Sequence, residues 1–174
     1  MSEIKVNKVK SQQGSDAFTI ASNGAVTTNY LPAWRIGRET DFNVTSSATW
    51  TKTTWDDFAA SDNCFTQNVT YNSSGHIIVP VAGIYQINAT LRYDGLTADS
   101  GYFILSIQIN DERSGNQDTY FLGEPQSGSY HSASISDVFK LDANDEVSIY
   151  VYSSNDSSWH INANVSVFSG VRIG

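Results

Sequence analysis

The chain has 174 residues and a formal net charge of −8, which excludes the basic surface of a nucleic-acid-binding protein and argues against binding to anionic membranes. Hydrophobic residues make up 40% of the chain, enough for the core of one domain, whereas charged residues make up only 16%. The single cysteine, Cys64, excludes an intrachain disulfide, and no run of about 20 apolar residues predicts a membrane helix. Because the N-terminus lacks the apolar segment of a secretion signal, we expect a soluble protein made in a reducing compartment.

Residues 1–31 differ in pattern from the rest of the chain and predict a short N-terminal arm. They carry small alternating apolar groups of the kind found in short β-strands, namely Ile4, Val6, Val9, Phe18, Ile20 and Val26. These groups are too few to close a core alone, since ordering each residue costs on the order of 1–2 kcal/mol of backbone entropy. The arm therefore needs a partner surface or two more copies of itself, and we predict that it attaches the chain to a partner. A second domain is predicted to cover residues 32–174.

Alternation of apolar and polar residues dominates the chain after Pro32, whereas sustained helical periodicity is nearly absent. A period of two predicts strands with one face on a core at residues 85–93, 103–109, 147–151 and 161–167. The first of these is predicted to bury Tyr85, Ile87, Ala89, Leu91 and Tyr93 on one face. The alternation changes phase between Val167 and Phe168, which suggests a β-bulge. Many short strands separated by turns, such as Asp94-Gly95, predict an all-β antiparallel sandwich or barrel.

Four pieces of residues 32–174, taken in order, resemble the globular head of complement component 1q and its tumour-necrosis-factor-like relatives. They are Pro32–Arg38, Gly75–Ile87 with its Val-Pro and Gly-x-Tyr pattern, Leu141–Val147 and Phe168–Ile173. The chain departs from the family pattern at Ile77 and Val171, where aromatic residues are usual, and at Asn144, where glycine is usual. Asparagine tolerates the left-handed backbone conformation nearly as well as glycine does, so we expect the family's turn within Leu141–Val147 to be kept. The resemblance implies a ten-stranded antiparallel jelly roll that assembles as a homotrimer about a hydrophobic axis.

Domains of this type also occur in bacteriophage particles, where they carry short N-terminal β-arms, and residues 1–31 resemble such an arm. The resemblance implies a virion structural protein that is assembled in the host cytoplasm. Within that class we predict a trimeric capsid decoration, or cement, protein bound to the major capsid protein, because one small domain with a short arm suits a clamp repeated over a shell. The alternative is a tail-fibre tip or lectin-like module that binds a host surface glycan.

A sugar platform for the alternative function would consist of Tyr150, Tyr152, Trp159 and His160. Packing at a subunit contact is the commoner role of such aromatic residues, so both interpretations stay open at this point.

The chain contains no Gly-x-Ser-x-Gly elbow and no phosphate-binding loop, so we predict that it is not an enzyme. Cys64 is predicted to be a structural thiol, since free cysteine behaves as a small hydrophobic residue. The histidines His76 and His160 are expected at the surface or at a subunit contact. No cofactor is predicted. Calcium is the alternative, because carboxylates in the predicted turns supply hard oxygen ligands. Turn carboxylates that only face solvent would give the same sequence pattern. The carboxylates concerned are Asp94, Asp99, Asp142, Asp145 and Glu146.

Overall fold

The computed structural model describes residues 8–10, 16–20, 26–27, 31–96, 101–112, 118–123 and 131–174. The chain forms two compact units, Met1–Leu31 and Pro32–Gly174. Within the described ranges, no helix has the length and apolar character needed to cross a membrane.

The N-terminal unit contains a small antiparallel sheet with the strand order β1–β2–β3. Its strands are β1 (Lys8–Lys10), β2 (Asp16–Ile20) and β3 (Val26–Thr27). The register places Val9 opposite Phe18 and Ile20 opposite Val26, so four of the six predicted arm residues lie in paired strands. The other two, Ile4 and Val6, lie outside the described residues. The apolar pieces of the arm therefore pair with one another, and its role in attachment stays a prediction.

The second unit is all-β, as the alternation predicted, and the described residues contain one helical segment, the 3₁₀ turn Ala60–Asp62. The strands are β4 (Ala33–Gly37), β5 (Phe42–Val44), β6 (Thr51–Lys52), β7 (Phe65–Gln67), β8 (Thr70–Tyr71), β9 (His76–Ile78), β10 (Gly83–Asp94), β11 (Phe103–Ile109), β12 (Asp118–Gly123), β13 (His131–Leu141), β14 (Glu146–Ser153), β15 (Trp159–Ile161) and β16 (Val167–Arg172). The count of ten implied by the resemblance is not confirmed, because the described residues form thirteen segments here, six of them only two or three residues long.

Two antiparallel sheets enclose the core of this unit. The seven-stranded sheet has the order β5–β15–β10–β16–β4–β7, with β13 also paired to β10. The six-stranded sheet has the order β12–β11–β14–β9–β8, with β6 also paired to β14. Strand β10 is the longest and pairs with β13 from Gly83 opposite Leu141 to Tyr93 opposite His131. The two sheets therefore present two outward faces, on opposite sides of the sandwich.

The core lies between the sheets and is built from the inward positions of their strands. The predicted face of β10 is confirmed, since all five of its members are buried: Tyr85, Ile87, Ala89, Leu91 and Tyr93. From the other sheet, β11 and β14 bury Phe103, Leu105, Ile107, Ile109, Val147, Ile149 and Val151. Ser106 and Gln108 on β11 are also buried, so both faces of this strand are covered, although the alternation predicted one polar face in solvent.

Two positions explain local features of the resemblance. Asn144 has a φ of 74°, so it takes the left-handed conformation expected where the family uses glycine. Gly170 lies directly opposite Trp34 in the pairing of β16 with β4. A Cβ at Gly170 would overlap the six-membered part of the Trp34 ring, so glycine is required for the indole to lie flat under the strand.

The prediction of one strand over residues 161–167 is wrong. Strand β15 ends at Ile161, residues 163–165 form a turn, and β16 begins at Val167. Asn164 closes this turn in a left-handed conformation with a φ of 62°, and its N–H donates to the carbonyl of Arg38 at 2.6 Å. The apparent phase change at Phe168 comes from this turn. The predicted bulge is also wrong, because β16 keeps a regular register with β10.

Candidate functional site

The four residues of the predicted sugar platform do not come together. Tyr150 and Tyr152 lie on β14 and alternate with core residues, so both side chains belong to the outward face of the six-stranded sheet. Trp159 is only 3% exposed and packs edge-on against Phe103 in the core, with ring centroids 5.6 Å apart. His160 lies on β15 in the other sheet. The platform as predicted is therefore wrong, and its Trp159 is a core residue.

The structure instead groups other aromatic rings around Tyr152. The pairing of β6 with β14 sets Lys52 opposite Tyr150, which brings Trp50, two residues earlier, beside Tyr152. The Trp50 and Tyr152 ring centroids are 5.3 Å apart, and Tyr102 stacks on Tyr152 at 5.7 Å with an interplanar angle of 16°. We call Trp50, Tyr102 and Tyr152 the aromatic strip. Tyr102 is 42% exposed and the other two residues are half-buried, so the strip is open to solvent.

Ionisable side chains meet farther along the same outward face, in a group that we call the His76 cluster: Lys52, His76, Asp111, Glu146 and Tyr150. Lys52 Nζ lies 2.6 Å from Asp111 Oδ2 and 2.7 Å from His76 Nε2. His76 Nε2 lies 2.9 Å from Asp111 Oδ1 and 3.4 Å from Glu146 Oε2. Lys52 Nζ also lies 5.6 Å from the centroid of the Tyr150 ring. The cluster thus combines two basic and two acidic groups with one phenol.

Local geometry fixes the ring of His76 within the cluster. Asn72 Oδ1 accepts the backbone N–H groups of Ser74 and His76, each at 3.1 Å, and lies 3.2 Å from His76 Nδ1. This contact sets the orientation of the imidazole ring and turns Nε2 towards Lys52 and Asp111. His76 is only 5% exposed, so the first of its two predicted positions, at the surface, is wrong, and the second, at a subunit contact, stays a prediction. Sequence alternation could not reveal the surrounding turn residues that cover it.

Asp111 is the centre of the cluster's hydrogen bonds. Burial alone would raise the pKa of this carboxyl, but hydrogen bonds from Lys52, His76 and Tyr150 outweigh burial and lower its pKa from 3.8 to about 2. Ser148 Oγ donates to the same carboxylate at 3.1 Å. Asp111 is therefore ionised at neutral pH and accepts hydrogen bonds on both oxygens. Burial raises the pKa of the Tyr150 phenol, and the hydrogen bond to Asp111 and the negative charge of Asp111 raise it further.

Three of the carboxylates considered for calcium, those of Asp94, Asp145 and Glu146, take part in other contacts. Asp145 accepts the backbone N–H of Asp142 at 2.8 Å and the side-chain amide of Asn110 at 2.9 Å, which closes the turn before β14. Asp99 lies outside the described residues. Across the described part of the chain, no group of three or more His, Cys, Asp or Glu residues could hold a metal ion. Calcium binding has no further support from this geometry.

Cys64 is buried beside Asp57 and does not resemble an activated nucleophile. Its Sγ donates to Asp57 Oδ2 at 3.4 Å, and Arg35 Nη1 lies 3.7 Å from the sulfur. Burial, together with the hydrogen bond to and negative charge of Asp57, raises the pKa of the thiol to about 11. The thiolate is the reactive form of cysteine, so this residue stays in its unreactive state at neutral pH.

The central rows on the outward face of the seven-stranded sheet carry little charge, whereas Lys140 and Arg92 lie at outward positions beyond them. Its residues lie in cross-strand rows, and two rows span β13, β10, β16, β4 and β7. The first row is Val138, Gln86, Val171, Ala33 and Gln67; the second is Ser136, Asn88, Ser169, Arg35 and Phe65. We call these ten residues the seven-stranded face. Arg35 is its one ionisable residue, and Val138 is its most exposed aliphatic side chain at 53%.

No family model matches this chain, and no curated protein matches it either. Among solved structures, two crystal structures of murine APRIL, at pH 8.0 and at pH 5.0, are similar to it. Each has a TM-score of 0.57 and 10% sequence identity, and each match covers 82% of this chain and 99% of the APRIL chain. At this identity the likeness establishes the fold alone. The chain therefore has a tumour-necrosis-factor-like antiparallel jelly-roll fold.

Proposed function

We propose that this chain is a non-catalytic structural protein of a bacteriophage particle, and that it acts as a homotrimeric capsid decoration protein. The observation that supports self-association is the seven-stranded face, which exposes valine and phenylalanine among polar side chains of which only Arg35 is ionisable. The family resemblance found in the sequence independently implies a trimer. The N-terminal unit would supply attachment to the major capsid protein.

The chemistry of the seven-stranded face suits contact with another copy of the chain. Val138 and Val171 flank Gln86 in one row, so two exposed aliphatic side chains lie close together. Polar groups in the next row are already paired, since Ser136 Oγ donates to Asn88 Oδ1 at 2.6 Å. Burying such a face in an interface contributes a favourable free energy of about 25 cal/mol for each Å² of apolar area removed from water, and few charged groups have to be desolvated. Depletion of charge is also what distinguishes the buried centre of protein interfaces.

Assembly is tested by placing a charge on this face. Native mass spectrometry of the unmodified chain should give three copies, whereas Val138→Asp should give monomers, because each interface would bury an unpaired carboxylate. The matched control is Val165→Asp, which changes a 40% exposed valine in the turn before β16. This control should remain trimeric. A Val138→Asp variant that assembles as the unmodified chain does would contradict the assigned interface.

Attachment is tested by removing residues 1–30 and offering the remaining head to particles that lack this protein. The head should still be trimeric in native mass spectrometry and should fail to co-sediment with the particles. Three arms on one trimer would raise the effective concentration of each arm at the shell, so modest contacts could hold the full-length chain. If the truncated head decorates particles as well as the full chain, the arm is not the anchor.

A further inference from the structure

The aromatic strip is an exposed feature that neither the core nor the proposed assembly explains. Its three rings lie on the outward face of the six-stranded sheet, on the opposite side of the sandwich from the seven-stranded face. Tyr102 exposes 42% of its surface although it is stacked on Tyr152. A trimer formed through the seven-stranded face would leave the strip in solvent. Adjacent exposed aromatic rings of this kind commonly mark a binding site.

The backbone holds the strip in a fixed arrangement. The N–H of Tyr102 donates to Ser154 Oγ at 3.0 Å, and the N–H of Ser154 donates to the carbonyl of Tyr102 at 3.1 Å. On the other side, the N–H of Ala48 donates to the carbonyl of Ser153 at 2.8 Å, which ties the segment before Trp50 to β14. Binding therefore would not have to order these segments, and this preorganisation lowers the entropic cost of taking up a ligand.

The His76 cluster continues the strip with hydrogen-bonding groups. Tyr150 lies two residues before Tyr152 on β14, and Lys52 lies over the Tyr150 ring. The side chains of Lys52 and Asp111 are both partly exposed, so they can offer a donor and an acceptor at the end of the strip. The surface thus combines the exposed ring of Tyr102 with a nearby pair of polar groups.

We propose that the aromatic strip is a binding site for a neutral glycan, with sugar rings stacked on Tyr102 and Trp50 and with hydroxyl groups reaching Lys52 and Asp111. A pyranose presents apolar C–H groups on its faces and hydroxyls at its edge, which match the aromatic rings and the polar end. The net charge of −8, with Asp111 and Glu146 nearby, selects against sialylated or sulfated sugars. This site adds to the structural role proposed above and does not depend on it.

The test is binding of the full-length chain to a printed array of neutral oligosaccharides beside sialylated and sulfated ones, followed by titration of the best ligand. Tyr102→Ala should weaken binding by roughly tenfold or more, as the loss of a central aromatic contact does. Tyr102→Phe, which keeps the ring, should bind nearly as well as the unmodified chain. The matched control is Phe58→Ala, because Phe58 is 41% exposed and packs on Tyr71 instead of the strip. It should bind normally.

Several outcomes would overturn the proposal. They are binding of no neutral glycan at millimolar concentration, binding of anionic glycans alone, or equal losses in the Tyr102→Ala and Phe58→Ala variants. A loss in Tyr102→Phe as large as that in Tyr102→Ala would overturn the stacking role. Thermal unfolding of each variant separates loss of the site from loss of the fold.

Discussion

Gly170→Ala is the substitution whose effect follows most directly from the packing of this jelly roll. Glycine in a strand costs stability, so an alanine without steric conflict would stabilise the fold by roughly 0.5–1 kcal/mol. Here the added Cβ would overlap Cζ2 and Cη2 of Trp34 and lie 2.8 Å from Cε2. The indole cannot retreat, because Trp34 is fully buried and packs edge-on against Phe168 at a centroid distance of 5.6 Å. Overpacking of this kind costs about 1–3 kcal/mol and should outweigh the gain.

The measurement is urea unfolding followed by tryptophan fluorescence, at one protein concentration because assembly contributes to apparent stability. Gly170→Ala should lower the free energy of unfolding by about 1 kcal/mol net, the difference between the middles of the two ranges, and by at most about 2.5 kcal/mol. Trp34→Phe removes the atoms that the new Cβ would meet, so it should relieve the conflict in the double variant. The two substitutions should therefore couple favourably by at least about 0.5 kcal/mol. A Gly170→Ala variant as stable as the unmodified chain, or strictly additive effects, would refute this packing.

Three further predictions concern other parts of the head. Leu91→Ala removes a fully buried side chain and should lower the free energy of unfolding in urea by about 2–5 kcal/mol. Thr90→Ala, on the opposite face of the strand, should lower it by less than about 1 kcal/mol. Equal losses would mean that the strand faces are assigned wrongly. Cys64 should resist alkylation by iodoacetamide at pH 8 in the folded chain, because its raised pKa keeps the buried thiol protonated. The thiol should react once the chain is unfolded. Rapid labelling of the folded chain would contradict this prediction. The pKa of Asp111 is lowered on folding, so its stabilising effect is complete above 3.8 and is lost as the pH falls towards about 2. In a pH series of melting temperatures, the Asp111→Asn variant should therefore not show this loss of stability in acid. At neutral pH the variant should be less stable by about 1 kcal/mol, a small amount because the carboxylate is partly exposed.

The sequence alone determined the features that depend on local periodicity and backbone conformation. Alternation predicted β10 and its buried face, because successive side chains of a strand point to opposite sides and a one-residue shift would expose all five apolar residues. The left-handed conformation of Asn144 was expected from the family resemblance, which has glycine at this position, because asparagine is one of the few residues that adopt that conformation. The same alternation failed at residues 163–165, where Ala163 and Val165 fit a period of two but lie in a turn. Period alone cannot detect a turn whose residues happen to alternate.

The candidate site was decided by the tertiary structure. Tyr152 was predicted to belong to a platform, but its aromatic partners depend on the pairing of β6 and β11 with β14, across sequence separations that no local pattern encodes. Trp159 was assigned to a sugar platform or a subunit contact but lies in the core, because the packing of two sheets decides which aromatic residues are covered. His76 is surrounded by Lys52 and Asp111 for the same reason. Periodicity determines which side of a strand a residue lies on, whereas strand order and register determine what lies beside it.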